Sequence, residues 1–150
     1  MKIVFSLIVL FFCSNECHKN HSQNSTQVQD KIVITYEAST RGFYEKTWIT
    51  KDSVSFSNDR SLATVAVAKC ESSDWNILTT LIKDINVKEL PELEAPSKMH
   101  QVDGAAMATL KIEFNNEVYQ TNIFDHGHPP KTISQLVNKV LSIKEEMAKQ

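Results

Sequence analysis

The sequence predicts an α+β domain, in which an antiparallel sheet of about six strands carries two helices on one face. Three observations support this prediction. Several segments alternate between apolar and polar residues, short turn sequences separate them as in hairpins, and two later segments repeat their apolar residues with a helical period. Hairpin-linked strands pair antiparallel, and amphipathic helices need an apolar face to cover. The predicted order is β-β-β-β-α-β-β-α.

Four strands are predicted in the first half of this domain. Residues 31–39 alternate, with Ile32, Ile34 and Tyr36 on one side, and β-branched and aromatic residues at this period are typical of a strand. In the second segment Phe43, Thr47 and Ile49 share one face. The four predicted strands are 31–39, 43–50, 53–57 and 62–68. The segment Ser39–Gly42 is predicted as the first turn, in which Gly42 is free to adopt a positive φ.

In the second half, the sequence pattern predicts a helix, a strand pair and a final helix. Ser72 or Ser73 is the expected N-cap of the first helix, and Asp74 suits its positive end. Residues 94–103 are predicted as a loop, and strands 105–114 and 117–124 as a hairpin turning at Asn115-Asn116. The apolar residues at helical spacing are Trp75, Leu78, Leu81, Ile82 and Ile85 in the first helix and Ile133, Leu136, Val137, Val140 and Leu141 in the second.

Length and composition exclude several functional classes. The 150 residues suit one domain, here 31–150, with a substantial core. A net charge of −2 with two arginines argues against a nucleic-acid partner, because such proteins usually carry a basic face. Three glycines, in neither the GxGxxG nor the GxxxxGK[ST] spacing, argue against a phosphate-binding loop. No cofactor is expected.

The N-terminus predicts export and lipid anchoring. Lys2 precedes an apolar run that ends at Phe12, too short to span a bilayer but typical of a signal peptide over residues 1–12. Cys13 follows directly, with Leu10 three positions before it, as in bacterial lipoproteins whose cysteine is acylated. Phe12 stands where those proteins have a small residue. The alternative is that the apolar run forms a buried N-terminal strand or helix.

Residues 13–30 are predicted to be the lipidated cysteine and a flexible tether. From Ser14 to Asp30 the sequence is polar and lacks apolar periodicity, so burial cannot offset the entropy of ordering it. Export permits a disulfide between Cys17 and Cys70, but a free Cys70 at the end of an apolar strand is the favoured expectation.

The segment 124–130 contains the most suggestive polar residues. His126 and His128 in extended backbone could project the same way, and Asp125 could add an oxygen ligand. Together with His100 or Asp103 they would make a metal site conceivable. The structural alternative is favoured: Asp125 caps the loop, Gly127 supplies an unusual φ, and the histidines are solvated.

Two further residues could bind a ligand. Arg41 could hold an anion, although a surface ion pair is the simpler interpretation. Asp103 could act as an acid or base beside His126, or it could form an Asx-type turn before the strand. No nucleophile motif such as GxSxG is present, so no catalytic residue is predicted and the protein is not expected to be an enzyme.

Three motifs together resemble those of small uncharacterised lipoproteins from Bacteroidetes and flavobacteria. They are YEASTRGF at Tyr36–Phe43, DGAA at Asp103–Ala106 and FDHG at Phe124–Gly127. The similarity covers about residues 31–145. The resemblance implies an envelope lipoprotein with a strand-rich half, a helix, a DGA-like strand start and a final helix. It implies no catalytic residues.

The sequence therefore favours a non-enzymatic binding or interaction module, anchored through Cys13 to a bacterial membrane and facing the periplasm or the cell surface. Its partner would be an unknown protein or small molecule. One alternative is a metal-dependent enzyme or metal site around Asp125, His126 and His128. Another is an inhibitor or immunity-type protein that blocks a partner enzyme.

Overall fold

A computed structural model describes residues 32–149 and confirms the α+β class, with an antiparallel sheet and two main helices. The strands are β1 (Val33–Ser39), β2 (Tyr44–Ile49), β3 (Ser53–Ser57), β4 (Ala66–Lys69), β5 (Met107–Phe114), β6 (Glu117–Gln120) and β7 (Phe124–Asp125). The helices are α1 (Ser72–Lys83) and α2 (Ser134–Met147), and three 3-10 turns lie at Val87–Glu92, Met99–Val102 and Lys131–Ile133.

The sheet runs in the order β4-β3-β2-β1-β5-β6, and β7 also pairs with β5. Ile34 lies opposite Ile49 on β2 and Ile112 on β5, so these residues share one face. All three are completely buried. The predicted alternation of β1 therefore corresponds to the face that carries the core.

The helices supply the other half of the core. Trp75, Leu78 and Ile82 of α1 are buried, as the helical period predicts. Leu136 and Val140 of α2 are completely buried in the same cluster as the sheet residues. The two helices are also joined by an ion pair of 2.7 Å between Lys139 Nζ and Asp74 Oδ1.

The predicted turn before β2 forms, but one predicted helix cap is wrong. Gly42 does not use its freedom to adopt a positive φ, because the Thr40 hydroxyl accepts hydrogen bonds from the amides of Gly42 and Phe43 and closes the turn in an ordinary conformation. Neither Ser72 nor Ser73 caps α1. The cap is Glu71, which makes no side-chain capping bond, so both serines already lie in the first turn.

The fourth strand is shorter than predicted. It begins at Ala66, not at 62, because the Asp59 carboxylate accepts hydrogen bonds from the amides of Ser61, Ala63 and Thr64 and holds this segment in a turn. Leu62 has a φ of 56° there. The Ala/Val run thus forms a short, exposed strand at the edge of the sheet.

The last predicted strand, 117–124, is interrupted. The Thr121 hydroxyl accepts the hydrogen bond of the Leu110 amide, so a side chain replaces the backbone acceptor and divides the strand into β6 and β7. The hairpin before it forms as predicted: Asn115 and Asn116 have φ values of 52° and 66°. In the predicted loop 94–103 the chain forms a 3-10 turn.

Predictions for the signal peptide, Cys13, the tether and Cys17 fall outside the described residues. Cys70 is a buried free thiol, as expected. No helix within residues 32–149 is long and apolar enough to cross a membrane.

Candidate functional site

The predicted ligand-binding residues do not form one cluster. Arg41 and Asp103 are exposed. Within residues 32–149, neither side chain makes a hydrogen bond or ion pair. Asp103 has a φ of 56° and ends the 3-10 turn Met99–Val102, so its backbone closes the loop without the side-chain bond of an Asx turn.

Asp125 is a structural anchor. It is 1% exposed, and its two oxygens are fully engaged by the loop that precedes β5. Oδ2 accepts hydrogen bonds from the Ser97 hydroxyl and from the Met99 amide at 2.9 Å. Oδ1 accepts from the His100 amide at 2.8 Å and lies 2.6 Å from His100 Nδ1. The carboxylate therefore fastens the loop 97–100 to β7, and not its own loop at 124–130 as expected.

These bonds hold Asp125 ionised. Burial alone would raise the pKa of the carboxyl, but the hydrogen bonds from Ser97, His100 and Met99 outweigh that effect. The pKa of Asp125 consequently lies well below its usual range. Because a carboxylate with every oxygen occupied has no free lone pair directed at solvent, Asp125 is poorly placed to bind a ligand.

His126 takes part in a different set of contacts. Its Nδ1 lies 2.8 Å from the Tyr36 hydroxyl, and its ring lies beside the ring of Phe43, with centroids 5.8 Å apart. Nδ1 is also 3.7 Å from Glu45 Oε1. Gly127 after it has a φ of 79°, the unusual conformation predicted for it, and this turn brings the histidine to the Tyr36 side of the sheet.

The Tyr36 hydroxyl determines how His126 bonds. Burial, the largest effect, raises the pKa of Tyr36 well above its ordinary value, and the charge of Glu45 adds to this, while a hydrogen bond with the Gly127 backbone acts oppositely. The phenol therefore stays protonated. Its oxygen accepts from the Gly127 backbone and also shares a hydrogen bond with His126 Nδ1.

Glu45 is a buried carboxylate with one unsatisfied oxygen. It is 6% exposed and lies on the core face of β2. Lys144 of α2 donates to Oε2 at 2.9 Å. Oε1 is buried without a hydrogen-bond partner in the described part of the chain, since His126 Nδ1, at 3.7 Å, lies beyond hydrogen-bond distance. Unsatisfied buried oxygens are uncommon and energetically costly.

A second unsatisfied oxygen lies two residues further along β2. Thr47 is 1% exposed, and its Oγ1 also has no hydrogen-bond partner among residues 32–149. Thr47 is opposite Tyr36 on β1 and Phe56 on β3. Buried acceptors this close together are the usual surroundings of an ordered water or of a polar ligand group.

An open recess of about 360 Å³ adjoins these residues. Its walls are Gly42, Phe43, Tyr44, Glu45, Phe56 and Asn58. Phe43 is 39% exposed, and the Lys144 ammonium lies 5.9 Å from the centre of the Phe56 ring. Three aromatic residues and the Glu45 carboxylate therefore line one opening, and Lys144 lies against two of these wall residues, Glu45 and Phe56. We call it the Glu45 recess.

The proposed metal ligands are engaged elsewhere. His100 bonds to Asp125, and His126 Nδ1 bonds to Tyr36. His128 Nδ1 lies 3.4 Å from the carbonyl oxygen of His126, and this side chain is exposed. Across the described residues no group of three or more His, Cys, Asp or Glu side chains is placed to hold a metal ion.

Sequence reasoning missed Glu45, Tyr36 and Lys144 as a site. The sequence did contain a signal for Glu45. In an alternating strand, Glu45 lies on the same face as Thr47 and Ile49, so a charged residue falls on the apolar face of β2. A buried charge needs a partner, and this makes such a position informative. Lys144 could not be found in this way, because it is 99 residues away in sequence.

No protein-family model matches the sequence. No curated protein matches it either.

Proposed function

We propose that this protein is a lipid-anchored, non-enzymatic binding module of a bacterial envelope, and that the Glu45 recess is its ligand site. One observation carries the assignment of the site: Glu45 Oε1 is buried beside an opening, and no group among residues 32–149 donates a hydrogen bond to it. A ligand that donates a hydrogen bond to Oε1 would satisfy an acceptor for which the described residues offer no donor. This arrangement favours binding at the recess over its being a purely structural feature.

The position of the recess fits an anchor at the N-terminus. β1 begins at Val33, and its far end, at Ser39, pairs with Tyr44 of the recess wall. Seven extended residues span about 20 Å. A chain tethered through Cys13 would enter the domain at one end of β1 and present the recess at the other end.

The geometry favours binding over acid–base catalysis. Both oxygens of Asp125 are occupied by hydrogen bonds, and Asp125 shares no hydrogen bond with His126. The Tyr36 phenol is held in its protonated form. None of these groups is arranged to exchange a proton with a bound molecule.

The anchor is tested by expressing the full chain in a bacterial host beside Cys13→Ala. We expect a lipid-sized gain in intact mass and partitioning into the detergent phase, both lost in the variant, because acyl chains give stable membrane attachment. Cys17→Ala is the matched control and should keep both properties. An unmodified, water-soluble wild-type protein would contradict the anchor.

The site is tested with isotope-labelled full chain in detergent micelles and an ultrafiltrate of bacterial envelope. We expect small molecules in the ultrafiltrate to shift the amide resonances of Phe43, Phe56 and Asn58, and Glu45→Gln to abolish these shifts. Glu37→Gln is the control, because Glu37 lies on the neighbouring strand and faces away from the core. If only the protein fraction retained by the filter shifts these resonances, the inhibitor or immunity-type alternative replaces the small-ligand site.

A further inference from the structure

We propose that the Glu45 recess binds a neutral, hydroxyl-rich ligand of about the size of one sugar ring. This inference rests on the proposed function and specifies its ligand class. It depends on the charge balance of the recess, on the hydrogen-bonding group that the unpartnered oxygen of Glu45 requires, and on the aromatic walls.

The charge balance disfavours an ionic ligand. The Glu45 carboxylate is already neutralised by Lys144, whose Nζ lies 2.9 Å from Oε2. An added cation would be repelled by Lys144 and an added anion by Glu45, at distances over which partly buried charges interact strongly. Two arginines also lie near this end of the sheet: Arg60 is stacked 5.1 Å from the centre of the Tyr44 ring, and Arg41, next to Gly42 of the recess wall, is exposed. A neutral ligand avoids both repulsions.

The hydrogen-bonding groups require a ligand that can donate. Among residues 32–149 the buried Glu45 Oε1 has no hydrogen-bond partner, and a carboxylate oxygen can only accept. Because Glu45 itself lines the recess, a rotation of its carboxylate would present this oxygen to a ligand hydroxyl. The same hydroxyl could accept from the side-chain amide of Asn58, which is also in the wall. Groups that donate and accept at once are the property of an alcohol and not of a hydrocarbon or an ether.

The walls and the volume suit a compact ring. Phe43 and Phe56 offer apolar faces on which the C–H groups of a sugar can pack, while its hydroxyls meet the polar wall. A volume of about 360 Å³ is near the lower end for small-molecule sites, which are roughly 300–1,000 Å³. One ring fits, and an extended oligosaccharide would have to continue into solvent.

The test uses the same labelled full chain with three kinds of probe. The neutral probes are D-glucose, D-galactose and N-acetyl-D-glucosamine, the cationic probe is ethanolamine, and the anionic probe is acetate. We expect a saturable shift of the Phe43, Phe56 and Asn58 amides with at least one sugar and none with the charged probes. Glu45→Gln should weaken sugar binding roughly tenfold, since a hydrogen bond to a charged acceptor is lost.

Two variants keep the test decisive. Glu37→Gln should bind sugar like the wild type. Asn58→Ala changes an exposed side chain of the wall and should weaken binding even if Glu45→Gln fails to fold. Shifts with ethanolamine or acetate but no sugar would overturn the ligand class and leave the proposed function intact. A response to the envelope ultrafiltrate without a response to any sugar would do the same, whereas no response to the ultrafiltrate would overturn the proposed function itself.

Discussion

Asp125 and Glu45 are both buried carboxylates, but their oxygens are bonded very differently. Asp125 receives hydrogen bonds from Ser97, from two backbone amides and from His100. In the described part of the chain Glu45 receives one, from Lys144, and its other oxygen has no donor. The comparison separates an anchor from a candidate site: a saturated carboxylate holds the fold together, whereas an unsaturated one beside an opening can gain free energy from a ligand.

The largest expected effect comes from removing the saturated carboxylate. Asp125→Ala should lower the Tm by roughly 5–10 °C, because the donors of Ser97, Met99 and His100 lose their common acceptor. The amides of Met99 and His100 should also lose protection from hydrogen exchange. Thermal unfolding and hydrogen exchange measure the two effects. Asp103→Asn is the control and should leave the Tm nearly unchanged, since Asp103 makes no side-chain bond and Asn tolerates its positive φ. An equal fall in both variants would contradict the anchoring role.

Acid should act through the same carboxylate. The pKa of Asp125 is lowered in the folded state, so its ionisation contributes stability above the unfolded value of about 4, and that contribution is lost as the pH falls through the folded pKa. We therefore expect the Tm of the wild type to decline below about pH 4 and that of Asp125→Asn to decline less steeply. If the Tm of both proteins declines equally steeply below about pH 4, groups other than Asp125 determine the acid sensitivity.

A smaller effect is expected at the ion pair of the unsaturated carboxylate. Lys144→Met removes the one hydrogen-bond donor of Glu45 and leaves a buried charge uncompensated, so the free energy of unfolding should fall by about 1–3 kcal/mol. Adding Glu45→Gln to this variant should recover part of the loss. Urea denaturation of the two single variants and the double variant gives the interaction energy. Strict additivity of the two changes would contradict a coupled pair.

The smallest effect on stability is expected for Glu45→Gln alone. The amide keeps an oxygen for Lys144 and no longer buries an unsatisfied charge, so the free energy of unfolding should change by less than about 1 kcal/mol. Binding at the recess should nevertheless weaken roughly tenfold. This combination of nearly unchanged stability and weakened binding is typical of a functional residue. A large fall in the urea midpoint would instead place Glu45 with Asp125 among the structural anchors.

The fold was predictable where local patterns agree with burial. The alternation of Ile34 and Tyr36 and the helical period of Trp75 and Leu78 recur in the structure as buried faces. Local patterns mispredicted the ends of strands where a hydrogen bond from a side chain determines the backbone conformation. The Asp59 carboxylate delays the start of β4, and the Thr121 hydroxyl interrupts the last strand, although both segments have the composition of strands.

The candidate site was predictable only in part. His126 was singled out from the sequence and lies at the Glu45 recess, while Asp125 beside it faces a loop and serves as an anchor. Arg41 and Asp103 remain exposed at other positions. The alternation of β2 predicts that Glu45 faces the core, but it does not predict which residues contact Glu45. Tyr36, His126 and Lys144 belong to three separate segments of the chain.

The sequence by itself determined the α+β class, most of the segments that form strands and helices, and which of their faces are apolar, because these follow from short-range periodicity and the burial of apolar area. Only the tertiary structure decided which of two inward carboxylates is saturated with hydrogen bonds. Hydrogen bonds act over about 3 Å. Their donors to Asp125 and Glu45 come from residues 25 to 99 positions away.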